Sequence, residues 1–169
     1  VGDRVGRSNL LWYASEFNTA VREINAHSPG MNTLEIILES RDNDIANPTG
    51  RTPEVVAVSA ALQRFMESDS VLPPRATLSF TDYMSESFRL LSGGNPKWGP
   101  LDLTTEAIDG AGFGALMGST PLNFSHVVDF TLQDSTVSLW YKDNKQETVD
   151  HALASAARAV EAVGIDHER

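Results

Sequence analysis

The stretch from Val127 to Val163 constrains the fold most. Val128, Phe130 and Leu132 alternate with Asp129, Thr131 and Gln133. Val137, Leu139 and Tyr141 then alternate with Ser138 and Lys142. A period of two sends successive side chains to opposite faces, so each run predicts a strand with one buried face. The four residues from Gln133 to Thr136 are polar and short enough for a tight turn, so the two runs predict a hairpin. Asn144 is placed to cap a helix, with Glu147 three residues on to complete a capping box. Val149, Leu153, Ala156, Val160 and Val163 recur every three or four residues and predict one apolar stripe. Such a unit must lay the stripe on the sheet, because neither element buries its apolar side alone.

Earlier in the chain, Ser15 predicts a helix cap, and Phe17, Val21 and Ile24 follow at helical spacing up to Ser28-Pro29-Gly30. Met31 to Ser40 predicts a strand: Leu34, Ile36 and Leu38 face one way, and Thr33, Glu35 and Glu39 the other. Ile37 breaks that alternation and predicts partial cover on both faces. Thr52 and Pro53 then mark a helix start, with Val55, Val58, Leu62, Phe65 and Met66 as its stripe. Pro73-Pro74 leads into a short strand at Ala76 to Phe80. Asp82 to Leu91 predicts a helix stopped by Gly93-Gly94-Asn95-Pro96. Thr104 or Thr105 opens a further segment that carries Ala107, Ile108, Phe113, Leu116 and Met117 on a background of Gly110, Gly112 and Gly114. Each Gly costs a helix about 1 kcal/mol relative to Ala, so this helix needs close packing to form.

With the first helix and the insert removed, the order is βαβ–ββα. That predicts an α+β fold, a ferredoxin-like two-layer sandwich with helices on one face of an antiparallel or mixed sheet. The closing strand is missing, and a helical insert occupies about 82–120. Residues 1–14 are expected to be a loose lead-in, and residues 15–169 a single domain.

Thirteen basic residues against 23 acidic ones give a net charge of -10. This argues against nucleic acid and anionic lipid as partners, since both are held by Lys and Arg. The absence of cysteine excludes disulfides, thiolate catalysis and Cys-ligated zinc, and leaves the compartment open. No stretch approaches the roughly 20 apolar residues that span a bilayer, and the first residues carry no signal-peptide pattern. Val at position 1 predicts a mature product or a piece of a longer chain.

No motif points to chemistry. Asp42-Asn43-Asp44 opens like a calcium loop, but the sixth position is Asn47 rather than Gly, and Glu54 falls one residue late. His27, His126, His151 and His167 form no metal-binding pair at i, i+4, although His126 and His151 would approach if the hairpin met the last helix. There is no Gly-x-Ser-x-Gly, and the adjacent Ser125-His126 does not make a dyad. Glu35 and Glu39 share a strand face about 13 Å apart, too far for one glycosidic bond. Gly93-Gly94-Asn95-Pro96-Lys97 lacks the Ser or Thr and the strand–helix setting of a phosphate loop. Neither cofactor nor catalytic residue is therefore expected. The remaining oddity is the aromatic and methionine content of the insert. Phe88, Trp98, Phe113 and Met117 are candidates for an apolar contact surface or cleft rather than core.

Ser15-Glu16-Phe17-Asn18 and Pro29-Gly30-Met31-Asn32-Thr33-Leu34-Glu35-Ile36 resemble the start of an extracytoplasmic loop of predicted exporters. Ser92-Gly93-Gly94-Asn95-Pro96-Lys97-Trp98 and the run from Val128 to Asp143 do so too. These exporters belong to the resistance–nodulation–division superfamily, in its branch of hydrophobe and lipid exporters. The resemblance covers most of residues 15 to 160 and rests on sequence phrases, not catalytic signatures. It implies a periplasmic loop between transmembrane helices of the cytoplasmic membrane, a ferredoxin-like porter region, and apolar small-molecule or lipid cargo. The partners would be the remaining transmembrane and periplasmic parts of the same transporter. A sheet edge left open in an isolated loop would also let copies pair as a homo-oligomer. The acidic loop from Asp42 to Gly50 and the Gly-rich Gly110 to Gly114 depart from the family pattern. The alternative is a free-standing ferredoxin-like binding protein for a small apolar ligand, and a third class is a small hydrolase using His126 or His151. A His within hydrogen-bond reach of a carboxylate in a cleft would favour that last class.

Overall fold

A computed structural model describes residues 11–30, 32–40 and 48–164. Among these residues it has α1 (Glu16–His27), β1 (Asn32–Leu38), α2 (Pro53–Glu67), β2 (Ala76–Leu78), α3 (Phe80–Leu91), α4 (Thr105–Met117), β3 (Ser135–Tyr141) and α5 (Gln146–Val163). The fold is α+β, and its three strands pair as an antiparallel sheet in the order β1–β3–β2. The described residues fall into two compact units. The first holds those up to Glu35, Arg64–Thr77 and those from Ser138 onward; the second holds Ile36–Gln63 and Leu78–Val137. No helix among the described residues is long and apolar enough to cross a membrane.

In the first unit, Ser15 caps α1 as its sequence predicts, accepting from the Asn18 N–H at 3.2 Å. The buried face of α1 is Asn18 and Val21, while Phe17 and Ile24 are exposed. Burial of Asn18 is offset by its Nδ2 donating to the Leu11 and Trp12 carbonyls at 3.1 and 2.9 Å. Along β1 the alternation is regular. Leu34, Ile36 and Leu38 are half-buried, and Thr33, Glu35 and Ile37 are exposed. The second face expected to be partly covered at Ile37 is therefore open.

The predicted hairpin is not formed. Val137, Leu139 and Tyr141 are buried in β3, but Val128 to Leu132 is not a strand, and only an isolated antiparallel bridge joins Val128 to Ser135. The competitor is local. The Asp129 carboxylate accepts from the backbone N–H of Thr131 at 2.9 Å, Gln133 at 2.6 Å and Asp134 at 2.8 Å, and also takes the Thr131 hydroxyl. A short acidic side chain offers these amides a partner that a ladder would otherwise have supplied. Burial pushes the Asp129 carboxyl up, but hydrogen bonds from Thr131, Asp134 and Gln133 outweigh it and hold the group below the usual carboxylate range. Leu132 takes a left-handed φ of 60°, and Phe130 points to solvent at 77% exposure. Without that strand, β3 has a neighbour on each side, and Ser135 and Ser138 are buried along with its apolar residues.

The start of α5 also differs from its prediction. Its cap is Lys145, one residue after Asn144, and no side-chain capping bond is present. Asp143 ties down the approach to the helix, taking the Thr148 hydroxyl at 2.5 Å and the Lys145 N–H at 3.4 Å. The helix stops at Gly164, whose φ of 76° is the left-handed termination Gly favours. Its buried face is Thr148, Ala152, Ser155 and Ala159. The predicted stripe is displaced to the flank, and Val149 and Leu153 are exposed.

In the second unit, Val56, Phe80, Met84, Ile108, Ala111, Phe124, Val127 and Val128 form the core. The predicted strand to Phe80 ends at Leu78 because α3 starts there. The Ser79 N–H donates to Asp82 Oδ2, the Ser79 hydroxyl to Gln63 Oε1, and Gln63 Nε2 back to the same Asp82 oxygen, each at 2.8 Å. Thr104 caps α4, which forms despite its three glycines and packs on α3. A Cβ on Gly114 would lie 2.5 Å from Ser87 Oγ and 2.8 Å from Leu91 Cδ1, so the two helices approach closely only because Gly is there. Gly110 faces open space.

Opposite outcomes follow at these two glycines. Gly110→Ala is expected to stabilise the chain by about 1 kcal/mol through helix propensity alone. Gly114→Ala should destabilise it, since overpacking costs about 1–3 kcal/mol and exceeds the same gain. Urea unfolding midpoints of the two variants measure the contrast, and equal shifts would show that α4 does not pack through Gly114.

Candidate functional site

Three features have the shape or chemistry of a site. The first lies in the first unit, between β1, the end of β3 and the first turns of α5. It is a groove of about 320 Å3 lined by Asn32 and Leu34, by Tyr141 and Asp143, and by Val149 and Leu153. Its exposed apolar wall is the stripe that α5 does not bury. Asn32 Nδ2 and the Tyr141 hydroxyl are buried with no hydrogen-bond partner among the described residues. Burial, with the charge of Asp69, raises the Tyr141 pKa, so the hydroxyl stays protonated and able to donate.

The second is a polar cluster where the turn after α2 meets α5. Asp69 Oδ1 accepts from the Val71 and Leu72 amides at 2.8 and 3.1 Å. Asp69 Oδ2 takes the Ser155 hydroxyl and lies 2.8 Å from His151 Nε2, with Arg158 Nη2 at 3.8 Å. The Ser155 hydroxyl, the Val71 and Leu72 amides and His151 hold the Asp69 carboxyl far below the usual carboxylate range, against the opposing effect of burial. Ser, His and Asp are together, and a shallow cleft of about 350 Å3 includes Asp69, His151 and Arg158. A nucleophilic triad, however, places the imidazole between hydroxyl and carboxylate, one ring nitrogen to each. Here one carboxylate oxygen takes both Ser155 and His151 Nε2, and the Ser155 hydroxyl is 3.5 Å from that nitrogen. Ser155 is also 1% exposed, so a substrate carbonyl cannot reach it. The cluster is built to hold a turn against a helix, not to activate a hydroxyl.

The third lies in the second unit, along α3 and α4. It is a groove of about 530 Å3 lined by Tyr83, Leu90, Leu91, Gly114, Ala115 and Phe124 among others. Tyr83 and Phe124 meet edge to face with centroids 5.1 Å apart. None of the four residues singled out in the sequence lines it. Phe88 is half-buried against the second unit's core. Trp98 is 43% exposed, with Lys97 Nζ 5.0 Å from its ring centroid. Phe113 and Met117 are exposed on α4 at 62% and 70%. The lining residues Leu90 and Leu91 end α3, where two adjacent leucines read as helix interior. Both are exposed, although Leu91 Cδ1 lies close beside Gly114 of α4.

The histidines find separate partners. His27 Nδ1 lies 3.0 Å from the Glu23 carbonyl, and His126 Nε2 lies 3.0 Å from the Tyr83 hydroxyl. His167 and Asp42-Asn43-Asp44 lie outside the described residues. Among the described residues, no group of three or more His, Cys, Asp or Glu side chains is placed to hold a metal ion. Gly93 and Gly94 end α3 in left-handed conformation, with Arg89 Nη1 donating to the Gly94 carbonyl at 2.5 Å. Compared with protein-family models, curated proteins and solved structures, the chain matches none.

Proposed function

We propose that the chain is a porter-type domain of a proton-driven exporter of the resistance–nodulation–division superfamily, in the hydrophobe and lipid branch. It lies outside the cytoplasmic membrane, shapes an apolar passage and changes conformation as the membrane part cycles. It carries out no bond-making chemistry and needs no cofactor. Its partners are the transmembrane and other periplasmic parts of the same transporter, and its cargo is apolar. The observation that carries this reading is the strand order. A βαββαβ ferredoxin-like sandwich contains a split βαβ unit, in which another strand stands between the two strands that a helix connects. The order β1–β3–β2, with α2 connecting β1 to β2 and β3 between them, agrees with such a unit, and among the described residues no strand pairs with the other side of β1. The exposed Phe113 and Met117 agree with a surface that works against other parts of a transporter.

The test uses the complete reading frame in a bacterial host, with export of a fluorescent apolar dye as the readout. Apolar stretches of about 20 residues should flank this segment. Export should stop when the proton gradient is dissipated, and Leu90→Glu should lower it while leaving the amount of protein in the membrane unchanged. A frame without such flanking stretches, or export indifferent to the gradient, would end this reading. The second reading, a free-standing binder of a small apolar ligand, is favoured by the α3–α4 groove, whose size is that of a small-molecule site. A thermal shift of the 169-residue chain by an apolar ligand, abolished by Leu90→Glu, would select it.

A further inference from the structure

An edge strand presents a row of unpaired N–H and C=O groups, and proteins ordinarily blunt such edges with Pro, Lys, a bulge or a covering segment. β1 is at one end of the sheet, and no strand among the described residues pairs with its outer side. Its sequence, Asn32 to Leu38, contains no Pro and no Lys, and its regular alternation of exposed and half-buried residues shows no bulge. The edge is seven residues long and flanked by apolar surface. Ile37 is exposed on one face, and on the other Leu34 continues into Val149 and Leu153 across the groove described above. An added strand would therefore find both of the things it needs. The backbone of β1 supplies a ladder, and the groove takes side chains from alternate positions. Asn32 Nδ2, buried without an acceptor among the described residues, lies at the end of the same edge and needs a carbonyl oxygen.

Charge indicates what the added strand is. Glu35 is exposed and is the central residue of β1. In a full-length antiparallel pairing of two copies, Glu35 would stand directly opposite its own counterpart, and like charges so placed oppose pairing. A net charge of -10 on each chain adds to the repulsion. Asp143, at the groove, is acidic as well. We propose that the outer edge of β1 receives a β-strand from a partner polypeptide. That strand is an extended segment of about six residues, aliphatic at alternate positions on the groove side, with Lys or Arg opposite Glu35. The argument uses the sheet and the groove alone, and it holds whether or not the chain is part of an exporter.

The probe is a synthetic peptide of about nine residues, alternating valine and threonine with a central lysine. The readout is backbone amide exchange of the 169-residue chain. Adding the peptide should slow exchange at alternate amides of Asn32–Leu38, those facing the free edge. A peptide N-methylated at its ladder positions should give no protection. Glu35→Lys should weaken binding of the lysine peptide about fivefold and strengthen binding of a glutamate version by a similar factor. Because Glu35 is exposed, that variant should keep the fold, which the unchanged exchange of β3 amides would verify. Four outcomes overturn the proposal. The first two are a peptide that protects no β1 amide and a peptide that binds regardless of N-methylation. Edge amides protected without peptide, increasingly so at higher protein concentration, would assign the edge to a second copy. Protection without peptide at every concentration would mean that the chain covers its own edge.

Discussion

Gly30→Ala is expected to destabilise the protein by about 3 kcal/mol or more. Two independent penalties meet at this position. Its φ of 134° lies in the region that L side chains rarely adopt. A Cβ there would sit 2.3 Å from the Tyr141 carbonyl oxygen and 3.1 Å from its carbon. Those are backbone atoms of β3, the middle strand, and cannot swing aside as a side chain would. Relief requires moving the strand or the α1–β1 connection, and either disturbs hydrogen bonds of the sheet. For a domain of ordinary stability, about 5–15 kcal/mol, this is a large fraction of the whole. Urea unfolding followed by tryptophan fluorescence gives the number. A midpoint equal to that of the parent chain would show that β3 does not pass Gly30 as closely as described.

Asp69→Ala is expected to cost about 2–4 kcal/mol, because it strips the acceptor from several donors at once. The Val71 and Leu72 amides would lose their turn, and the buried Ser155 hydroxyl its acceptor. His151 and Arg158 would lose the charge they face. The same carboxylate sets a pH dependence. Its folded pKa lies below the ordinary value near 3.8, so the unfolded chain takes up the proton first as pH falls. The Asp69 contribution is therefore complete above the ordinary carboxylate range and is lost as pH drops from about 4 downward. Acid unfolding of Asp69→Ala should start from a lower plateau and fall less steeply below about pH 4 than that of the parent. Parallel curves would mean that Asp69 does not titrate with folding. His151→Gln should cost less than Asp69→Ala, since it removes one partner of the carboxylate and leaves four.

The helix signals were readable because each is local. Ser15, Thr52 with Pro53, and Thr104 act on backbone groups within one turn of themselves, and all three mark helix starts. Gly93 and Gly94 likewise stop α3. The candidate site was much less readable. Exposure of Trp98, Phe113 and Met117 agrees with a surface role, yet the grooves are made by other residues. The groove beside β1 joins Leu34 to Val149 and Leu153, more than a hundred positions away. No spacing rule connects residues brought together by strand order.

By itself, then, the sequence determined the helices, the burial of Val137, Leu139 and Tyr141, and the α+β class. Capping, termination and two-residue periodicity are written into neighbouring residues. Tertiary structure decided the rest. Val128 to Leu132 has the alternation of a strand, but Asp129 takes amides that a ladder would use, a competing signal that is itself local, and β3 pairs with β1 and β2 instead. The last helix has a stripe of valine and leucine, but it buries the adjacent line of Thr148, Ala152, Ser155 and Ala159. Small side chains allow a close approach that periodicity cannot foresee. Helix α4 overcomes its glycines because the missing Cβ of Gly114 lets α3 come within contact. In the two helices a short-range preference met a longer-range one, and packing decided between them.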